Sequence, residues 1–166
     1  MITVDKIVAA IGAQGSSVTL AMAPIVEENK VVLISGASGT PKISSAGDYI
    51  FRTCPSDIYE GEFIAKVYDI LHANENVAIL YINNDYGIGL RDAFKHEIKN
   101  KPEKILDLAF AQGTNDFRNQ IAKIIQEKIK VVYLIGYEEM ITIFKQAKEY
   151  GLKCAWLGNN KLNDQT

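Results

Sequence analysis

The fold of this chain is decided by the stretch Asn76-Val-Ala-Ile-Leu-Tyr-Ile-Asn-Asn-Asp-Tyr-Gly-Ile-Gly-Leu-Arg-Asp-Ala-Phe94. A continuous apolar run is followed at once by polar and small residues, and then by a helical pattern. Such a run is typical of a strand that is covered on both faces of a parallel sheet. In open α/β sheets, ligands bind at the edge where the strands end. Because this stretch contains no nucleophile, metal cluster or phosphate loop, it predicts a binding site rather than a catalytic site.

Outward from this stretch, short β-rich runs alternate with longer helical runs. We predict strands at residues 7–11, 31–35, 49–52, 77–82, 104–110, 131–135 and 155–157. We predict helices at residues 17–28, 58–73, 89–99, 117–127 and 139–150. This alternation favours right-handed crossovers, and therefore an α/β fold of parallel sheets with helices on both faces.

Several residues predict where the helices begin, bend or end. Asp57 and Asp116 stand at N-cap positions, where a side-chain oxygen accepts from free amides. Asp85 is a third candidate for a capping residue. Gly151 follows the last helix as a stop signal. Pro24 is expected to kink the first helix, because proline removes one backbone hydrogen bond.

Two boundaries interrupt the alternation. The first is a Gly- and Ser-rich loop over residues 36–48, and the second is the segment 54–57. Only two convincing βα units precede the second boundary, whereas four follow it. We therefore predict two domains, which are part of an N-terminal lobe at residues 1–54 and a nearly complete C-terminal lobe at residues 55–166. The exposed edges of an incomplete sheet would favour a homodimer.

Composition excludes several classes of function. The 166 residues carry a net charge of −2, so nothing in the charge favours binding to nucleic acid. No apolar run reaches the roughly 18 residues of a membrane helix. The first five residues lack the basic and apolar regions of a signal peptide, and we expect none in this sequence. Cys54 and Cys154 lack zinc spacing and are either two half-buried thiols or a disulfide. His72 and His96 are expected at the surface, with no metal.

No cofactor is expected. Gly36-Ala-Ser-Gly-Thr40 follows a strand as a dinucleotide loop does, but Pro41 and a loop come next instead of a helix. No P-loop and no Ser/His/Asp order of a catalytic triad occurs. Asp57, Asp85 and Asp116 could serve as acid/base groups, although capping also explains them.

Two sets of residues carry the alternatives for a binding site. Gly15, Ser16 and Ser17 either only cap the first helix or also offer hydroxyls and amides to a ligand carboxylate. Tyr86 and Tyr137 are either exposed turn residues or aromatic walls of a pocket at the sheet edge.

Eight short segments have an order and spacing that resemble those of one family. That family is the type I periplasmic binding proteins, and specifically the leucine/isoleucine/valine-binding branch of ABC-transporter receptors. The segments are Ile11-Gly12 with Ser16-Ser17, Ala23-Pro-Ile-Val-Glu-Glu28, Val32-Leu-Ile-Ser35, Tyr49-Ile-Phe-Arg-Thr-Cys-Pro-Ser-Asp57, Val77-Ala-Ile-Leu-Tyr81, Asp85-Tyr86-Gly87 with Gly89, Thr114-Asn-Asp-Phe117, and Gln146-Ala-Lys148 with Gly151-Leu-Lys153.

The resemblance implies a non-enzymatic receptor with two lobes and a ligand in the cleft between them. A hinge is expected near residues 54–57, with further chain at both ends in full-length relatives. The implied ligand is an amino acid or another small carboxylate. The implied partner is an ABC permease in the membrane, and the implied location is periplasmic or extracellular.

The resemblance also assigns roles to single residues. Ser16 and Ser17 would contact the ligand carboxylate, while Ala37 and Ser38 would offer backbone groups from a second loop. Gly39 stands where relatives usually have a threonine that binds the ligand, and Thr40 comes one position late.

The remaining assignments fall on the C-terminal lobe. Tyr86 and Tyr137 would supply the aromatic contacts. Asn160 stands where amino-acid-binding relatives carry an acidic residue for the α-ammonium, so specificity for amino acids would need Asp164 or another acid.

Three classes of function therefore remain open: an ABC-importer receptor, a ligand-sensing domain of a receptor or regulator, and an α/β enzyme. A neighbouring permease gene would indicate the first class, and a downstream kinase or regulator domain would indicate the second. Loss of turnover on mutation of Asp85 would indicate the third.

Overall fold

A computed structural model describes residues 2–160 of the chain, which form two parallel sheets and their helices. The helices are α1 (Ile2–Asp5), α2 (Ser16–Glu28), α3 (Asp57–Leu71), α4 (Asp85–Glu97), α5 (Arg118–Gln126) and α6 (Glu139–Glu149), with a 3₁₀ helix at Pro41–Ser45. The strands are β1 (Ala9–Ile11), β2 (Val32–Ser35), β3 (Ile50–Arg52), β4 (Val77–Ile82), β5 (Ile105–Phe110), β6 (Val131–Ile135) and β7 (Ala155–Gly158).

The first sheet is small and has the strand order β1-β2-β3, with parallel pairing throughout. Its core gathers around Leu33, against which Ala23 and Val26 of α2 pack. The edge strands β1 and β3 carry exposed apolar side chains, with Ile11 92% and Phe51 51% accessible to solvent. The first sheet is therefore covered on only part of its surface.

The second sheet has the order β5-β4-β6-β7, and all of its pairs are parallel. Every residue of its two inner strands, β4 and β6, is buried. This double coverage explains the continuous apolar runs in the sequence. The predicted α/β class with parallel sheets and helices is confirmed.

The strand order creates a crevice at the carboxyl edge of the second sheet. From β4 the chain runs through α4 to β5 on one side, whereas from β6 it runs through α6 to β7 on the other. Because parallel crossovers are right-handed, α4 lies on one face of the sheet and α5 and α6 lie on the other. The loops after β4 and β6 therefore diverge, which is where open sheets of this kind bind ligands.

Helix starts differ from the sequence prediction. The helix predicted from residue 89 begins at Asp85, because the Asn84 side chain caps it by accepting from the Gly87 amide at 2.9 Å. Asp57 was the wrong N-cap, since Ser56 occupies that position and Asp57 is the first helical residue. Asp116 lies one residue before the cap position of α5, which is Phe117, but its Oδ1 accepts from the first amide of the helix, that of Arg118, at 3.2 Å, as predicted.

Other differences are local. The segment predicted as a loop contains the 3₁₀ helix, α1 was not predicted, and β1 begins two residues later than expected. Pro24 lies inside α2, which continues to Glu28.

Cys54 and Cys154 are free thiols. Within residues 2–160, no helix is long and apolar enough to cross a membrane. Along the chain, the strands of the first sheet precede residues 53–56 and those of the second sheet follow them. The boundary between the proposed lobes at 54/55 stays a prediction.

Candidate functional site

A cavity of about 380 Å³ opens where the loops that follow β1, β2, β4, β5 and β6 come together. We call it the Tyr86 cavity. None of its lining side chains is charged. The lining residues are Gln14, Gly15, Ser16, Ser17, Val18, Ala37, Asn84, Tyr86, Gln112 and Tyr137.

The first turn of α2 forms one wall of the cavity. Its N-cap residue is Gly15, so no side chain accepts hydrogen bonds from the first amides. In contrast, Ser56 caps α3 and Asn84 caps α4. The uncapped N–H groups and the positive end of the helix dipole suit a negatively charged ligand group. This wall therefore favours a carboxylate.

A network of buried hydroxyl groups holds the loops behind that wall. Ser35 Oγ donates to the Ala13 carbonyl at 2.5 Å, and the hydroxyls of Ser38 and Thr19 are 2.8 Å apart. The Ser38 amide donates to Ser35 Oγ at 3.1 Å. Ser38 is fully buried and fixes the loop after β2 instead of lining the cavity.

Tyr86 and Tyr137 form the opposite wall. Their rings are stacked, with centroids 5.5 Å apart and planes 12° apart. Asn159 Nδ2 donates to Tyr86 Oη at 3.1 Å and to the Gly136 carbonyl at 2.9 Å. Burial raises the pKa of both tyrosine hydroxyls, so both remain neutral at physiological pH. The wall thus offers apolar ring surface in a fixed orientation.

Glu139 holds this wall in place. Its side chain is buried, with Oε1 accepting from the Gly113 amide at 2.8 Å and Oε2 accepting from the Tyr137 amide at 3.3 Å. One carboxylate thereby joins the loops after β5 and β6. The sequence analysis did not single out this residue.

Asp57 is a buried carboxyl group between the two sheets. Its backbone amide donates to the Gly39 carbonyl at 2.8 Å, and its Oδ2 has no hydrogen-bond partner. Burial, together with the nearby Glu60 charge, raises the pKa of Asp57 to about 7, although Arg52 acts in the opposite direction. Asp57 is therefore partly protonated at neutral pH.

Gly39 packs directly against Asp57. A Cβ atom at position 39 would lie 1.9 Å from Asp57 Oδ1, so any side chain there would collide with the carboxyl group. The Asp57 carboxyl group thus fills the space beside position 39, and a side chain there would require the carboxyl group to move. Gly39 lies behind the cavity and does not line it.

Of the eight predicted site residues, the structure brings five together around the Tyr86 cavity: Ser16, Ser17, Ala37, Tyr86 and Tyr137. Ser38 and Gly39 lie behind it. Asn160 is exposed and its backbone amide donates to Glu60 Oε1 at 2.9 Å. Asp164 lies outside the described residues. The ligand-binding role of all eight residues stays a prediction.

Gly15, which the sequence placed with Ser16 and Ser17 at the helix start, also lines the cavity, and four lining residues were missed, namely Gln14, Val18, Asn84 and Gln112. Their shared signal is position, since each follows a strand or opens a helix at the same edge of a sheet. Gln112, for example, comes two residues after the end of β5. Among residues 2–160, no group of three or more His, Cys, Asp or Glu side chains could hold a metal ion.

Two parallel sheets that direct their strand ends at one uncharged cavity define a class of ligand-binding protein, and the sequence matches such a family. Residues 1–165 match the family model described as "Receptor family ligand binding region", and the chain belongs to this family. The type I periplasmic-binding-protein resemblance seen in the sequence is thereby confirmed.

Similarity to individual proteins supports the same family assignment. The chain is 31% identical to a leucine-specific-binding protein of Salmonella typhimurium and 28% identical to a leucine-, isoleucine-, valine-, threonine- and alanine-binding protein of Pseudomonas aeruginosa. In each case the match covers 93% of this chain and 42% of the relative. A crystal structure of a leucine binding protein from Thermotoga maritima matches with a TM-score of 0.86 at 29% identity, covering 95% of this chain and 45% of that protein.

The chain thus spans less than half the length of these relatives. All three are named as binding proteins, which agrees with the expectation that this chain is not an enzyme.

Proposed function

We propose that the chain forms part of a solute-binding receptor of an ABC importer, and that it holds a small carboxylate or amino-acid ligand in the Tyr86 cavity between two lobes. The observation that carries this proposal is the pairing of unlike walls. The uncapped first turn of α2 faces the stacked rings of Tyr86 and Tyr137 across an uncharged cavity. A carboxylate at the helix and an apolar body against the rings would satisfy both walls.

The individual contacts follow from what each group has free. The Ser17 hydroxyl is engaged by Asp85, so Ser17 offers its backbone amide to the carboxylate. Ala37 is exposed at the cavity, and since its amide donates to Ser35 Oγ at 3.4 Å, the backbone group it offers is its carbonyl oxygen. Tyr86 accepts from Asn159, which leaves the tyrosine O–H as a donor. Branched-chain amino acids fit this arrangement by size, and relatives of the chain are named for binding them.

The α-ammonium of an amino-acid ligand would need a negatively charged partner. Within the described residues, no carboxylate lines the cavity, and the nearby Glu139 already accepts from two backbone amides. A carboxylate ligand without an ammonium group would need no acidic side chain in the cavity. An amino acid would need an acid from outside the described residues, for which Asp164 is the candidate named by the sequence.

A matched set of three ligands tests the proposal by calorimetry and thermal shift. Leucine carries both charged groups, isocaproate lacks the ammonium, and leucinol lacks the carboxylate. We expect at least one of the two carboxylates to bind and leucinol to bind at least tenfold more weakly, since the helix wall selects the negative group. Equal binding of leucinol, or no binding of either carboxylate, would refute the assignment.

Variants of the aromatic wall locate the binding site. Tyr137→Ala should weaken binding about tenfold, because the ligand loses apolar contact with one ring. Tyr86→Ala should have a similar effect, with a melting curve recorded to separate loss of binding from loss of fold. Tyr59→Ala is the matched control, since Tyr59 is 67% exposed on α3 and lies outside the cavity lining.

The proposed partner is a membrane-embedded ABC permease, and the proposed location is periplasmic or extracellular. The second candidate function is a ligand-sensing domain, which the family description as a receptor ligand-binding region also accommodates. A permease gene next to this gene would favour the importer. A kinase or regulator domain further along the same reading frame would favour the sensor.

A homodimer is a further expectation, because β1 and β3 are edge strands with exposed Ile11 and Phe51. Sedimentation as a monomer at high protein concentration would contradict it.

A further inference from the structure

Three side chains form a polar cluster beside the Tyr86 cavity. The cluster connects elements next to the first sheet with the helix that follows β4 of the second sheet. Ser17 lies in α2, Lys42 lies in the 3₁₀ helix, and Asp85 is the first residue of α4. Ser17 Oγ donates to Asp85 Oδ2 at 2.7 Å, and Lys42 Nζ lies 2.7 Å from Asp85 Oδ1. The Asp85 backbone amide donates back to Ser17 Oγ at 3.1 Å. Both oxygens of one carboxylate from residues 57–160 are thus bound by groups from residues 2–52.

The helix that carries Asp85 does not need this carboxylate as a cap. Asn84 already accepts from the Gly87 amide at 2.9 Å. The hydrogen bonds from Lys42 and Ser17 lower the pKa of Asp85, so the group is ionised at neutral pH. Its side chain is 27% exposed and that of Lys42 is 60% exposed, which makes the ion pair sensitive to salt. The carboxylate therefore acts across the two regions rather than within its own helix.

A close backbone approach adjoins the cluster. A Cβ atom at Gly89 would lie 3.2 Å from Thr40 Oγ1 and 3.2 Å from Pro41 Cδ, which is tighter than ordinary packing. The segment that leads into Lys42 therefore rests on the second turn of α4, and the missing side chain at position 89 lets it come near. This contact and the Asp85 cluster form one continuous seam next to the cavity.

We propose that Asp85 is a positioning residue for ligand binding, whose carboxylate holds Ser17 and Lys42 so that the two lobes stay docked over the Tyr86 cavity. The inference rests on the proposed function, because it assigns the seam a role in retaining the ligand of that same cavity. We call the Ser17–Asp85–Lys42 contacts the clasp. Because Ser17 itself lines the cavity, the clasp also fixes the helix turn that faces the ligand. Contacts that exist only when lobes are docked act on the dissociation rate more than on the association rate.

Asp85→Asn and Lys42→Met test the clasp. Each should raise the ligand dissociation rate about three- to tenfold while changing the association rate little, as expected for a partly exposed pair with an added hydrogen bond. High salt should raise the dissociation rate of the unmodified protein and have less effect on either variant. The matched controls are Asp116→Asn and Lys66→Met, whose charges pair with Arg118 and Glu62 on the same or an adjoining helix segment.

A second readout needs no ligand. Small-angle X-ray scattering of the protein alone should give a larger radius of gyration for Asp85→Asn and Lys42→Met than for the two controls, because undocked lobes swing apart. A charge exchange, Asp85→Lys with Lys42→Asp, should restore the compact value and the salt dependence.

The two readouts separate two kinds of failure. If no carboxylate binds to any form but the radius of gyration responds as expected, the proposed function fails and the clasp between the lobes stands. If the ligand binds and neither the radius of gyration nor the dissociation rate responds to Asp85→Asn and Lys42→Met, the proposal for Asp85 is overturned. Melting curves confirm that each variant is folded.

Discussion

Asp57→Asn is expected to make the folded protein more stable at neutral pH and to remove part of its pH dependence. Asp57 is buried, its Oδ2 lacks a hydrogen-bond partner, and its pKa rises from 3.8 to about 7. Each unit of pKa corresponds to about 1.4 kcal/mol, so ionising this group costs the folded state about 4 kcal/mol. Asparagine has nearly the same shape and carries no charge that burial could penalise.

The sign of the effect follows from proton binding. Between pH 4 and pH 7, the folded protein keeps the Asp57 proton while the unfolded chain has lost it. Stability therefore falls as pH rises through this window, because the folded state binds more protons than the unfolded state. Above pH 7 the contribution levels off, with the full cost present. The asparagine side chain of the variant does not titrate, so this slope should be absent from it.

Urea unfolding at a series of pH values, followed by circular dichroism, measures the effect. The two proteins should have similar unfolding free energies near pH 4 and should diverge by as much as about 4 kcal/mol at pH 7 and above. Asp116→Asn is the control, because that carboxylate is exposed and its hydrogen bonds with Arg118 lower its pKa to about 2. Parallel pH curves for Asp57→Asn and the unmodified protein would refute the reasoning.

Three further substitutions test the packing. Gly61→Ala should lower the unfolding free energy by about 1–3 kcal/mol in urea, since the new Cβ would lie 2.4 Å from Ala93 Cβ between α3 and α4; an unchanged midpoint would contradict this close approach. Phe117→Ala should cost about 3–5 kcal/mol by thermal unfolding, because the ring is fully buried edge-on to Phe110; a loss below 1 kcal/mol would mean that the site is not packed. Ser56→Ala should cost about 1 kcal/mol and speed amide exchange in the first turn of α3, as expected for a lost N-cap; unaltered exchange would show that Ser56 is not the cap.

The inner strands of the second sheet could be predicted because their burial leaves a pattern in a short stretch of sequence. The inner strands β4 and β6 are buried along their whole length, and strands of that kind give uninterrupted apolar runs. The first sheet gave a weaker signal because its strands are three or four residues long. In β1 the side chains of Ala9 and Ile11 are exposed, so the apolar pattern did not mark where pairing begins.

Helix starts were less predictable, since several neighbouring residues can cap a helix. The sequence offered Ser56 and Asp57 in succession, and likewise Asn84 and Asp85, and the acidic residue of each pair was preferred. In the structure both acids lie inside the first turn, where they face the other sheet's loops. Tertiary contacts thus decided which residue of each pair caps the helix.

Part of the candidate site could be inferred from strand ends alone. Tyr86 and Tyr137 each follow a buried strand, which placed them at one edge of a sheet. Their stacking depends on β4 and β6 being neighbours, and the order β5-β4-β6-β7 is not written in any local pattern. The sequence could therefore place both rings at the edge without pairing them.

The relation between Gly39 and Asp57 shows where transfer from a family pattern reaches its limit. Taken position by position, the resemblance interprets glycine at 39 as the loss of a ligand-binding hydroxyl, with Thr40 one position late. In the structure the space beside Gly39 is filled by the Asp57 carboxyl group, 18 positions further along the chain, and Thr40 Oγ1 is buried without a hydrogen-bond partner. Neither residue therefore brings a hydroxyl to the Tyr86 cavity. Under the proposed function, polar contacts on this wall would come from the uncapped amides at the start of α2, which favour a carboxylate without distinguishing the rest of the ligand.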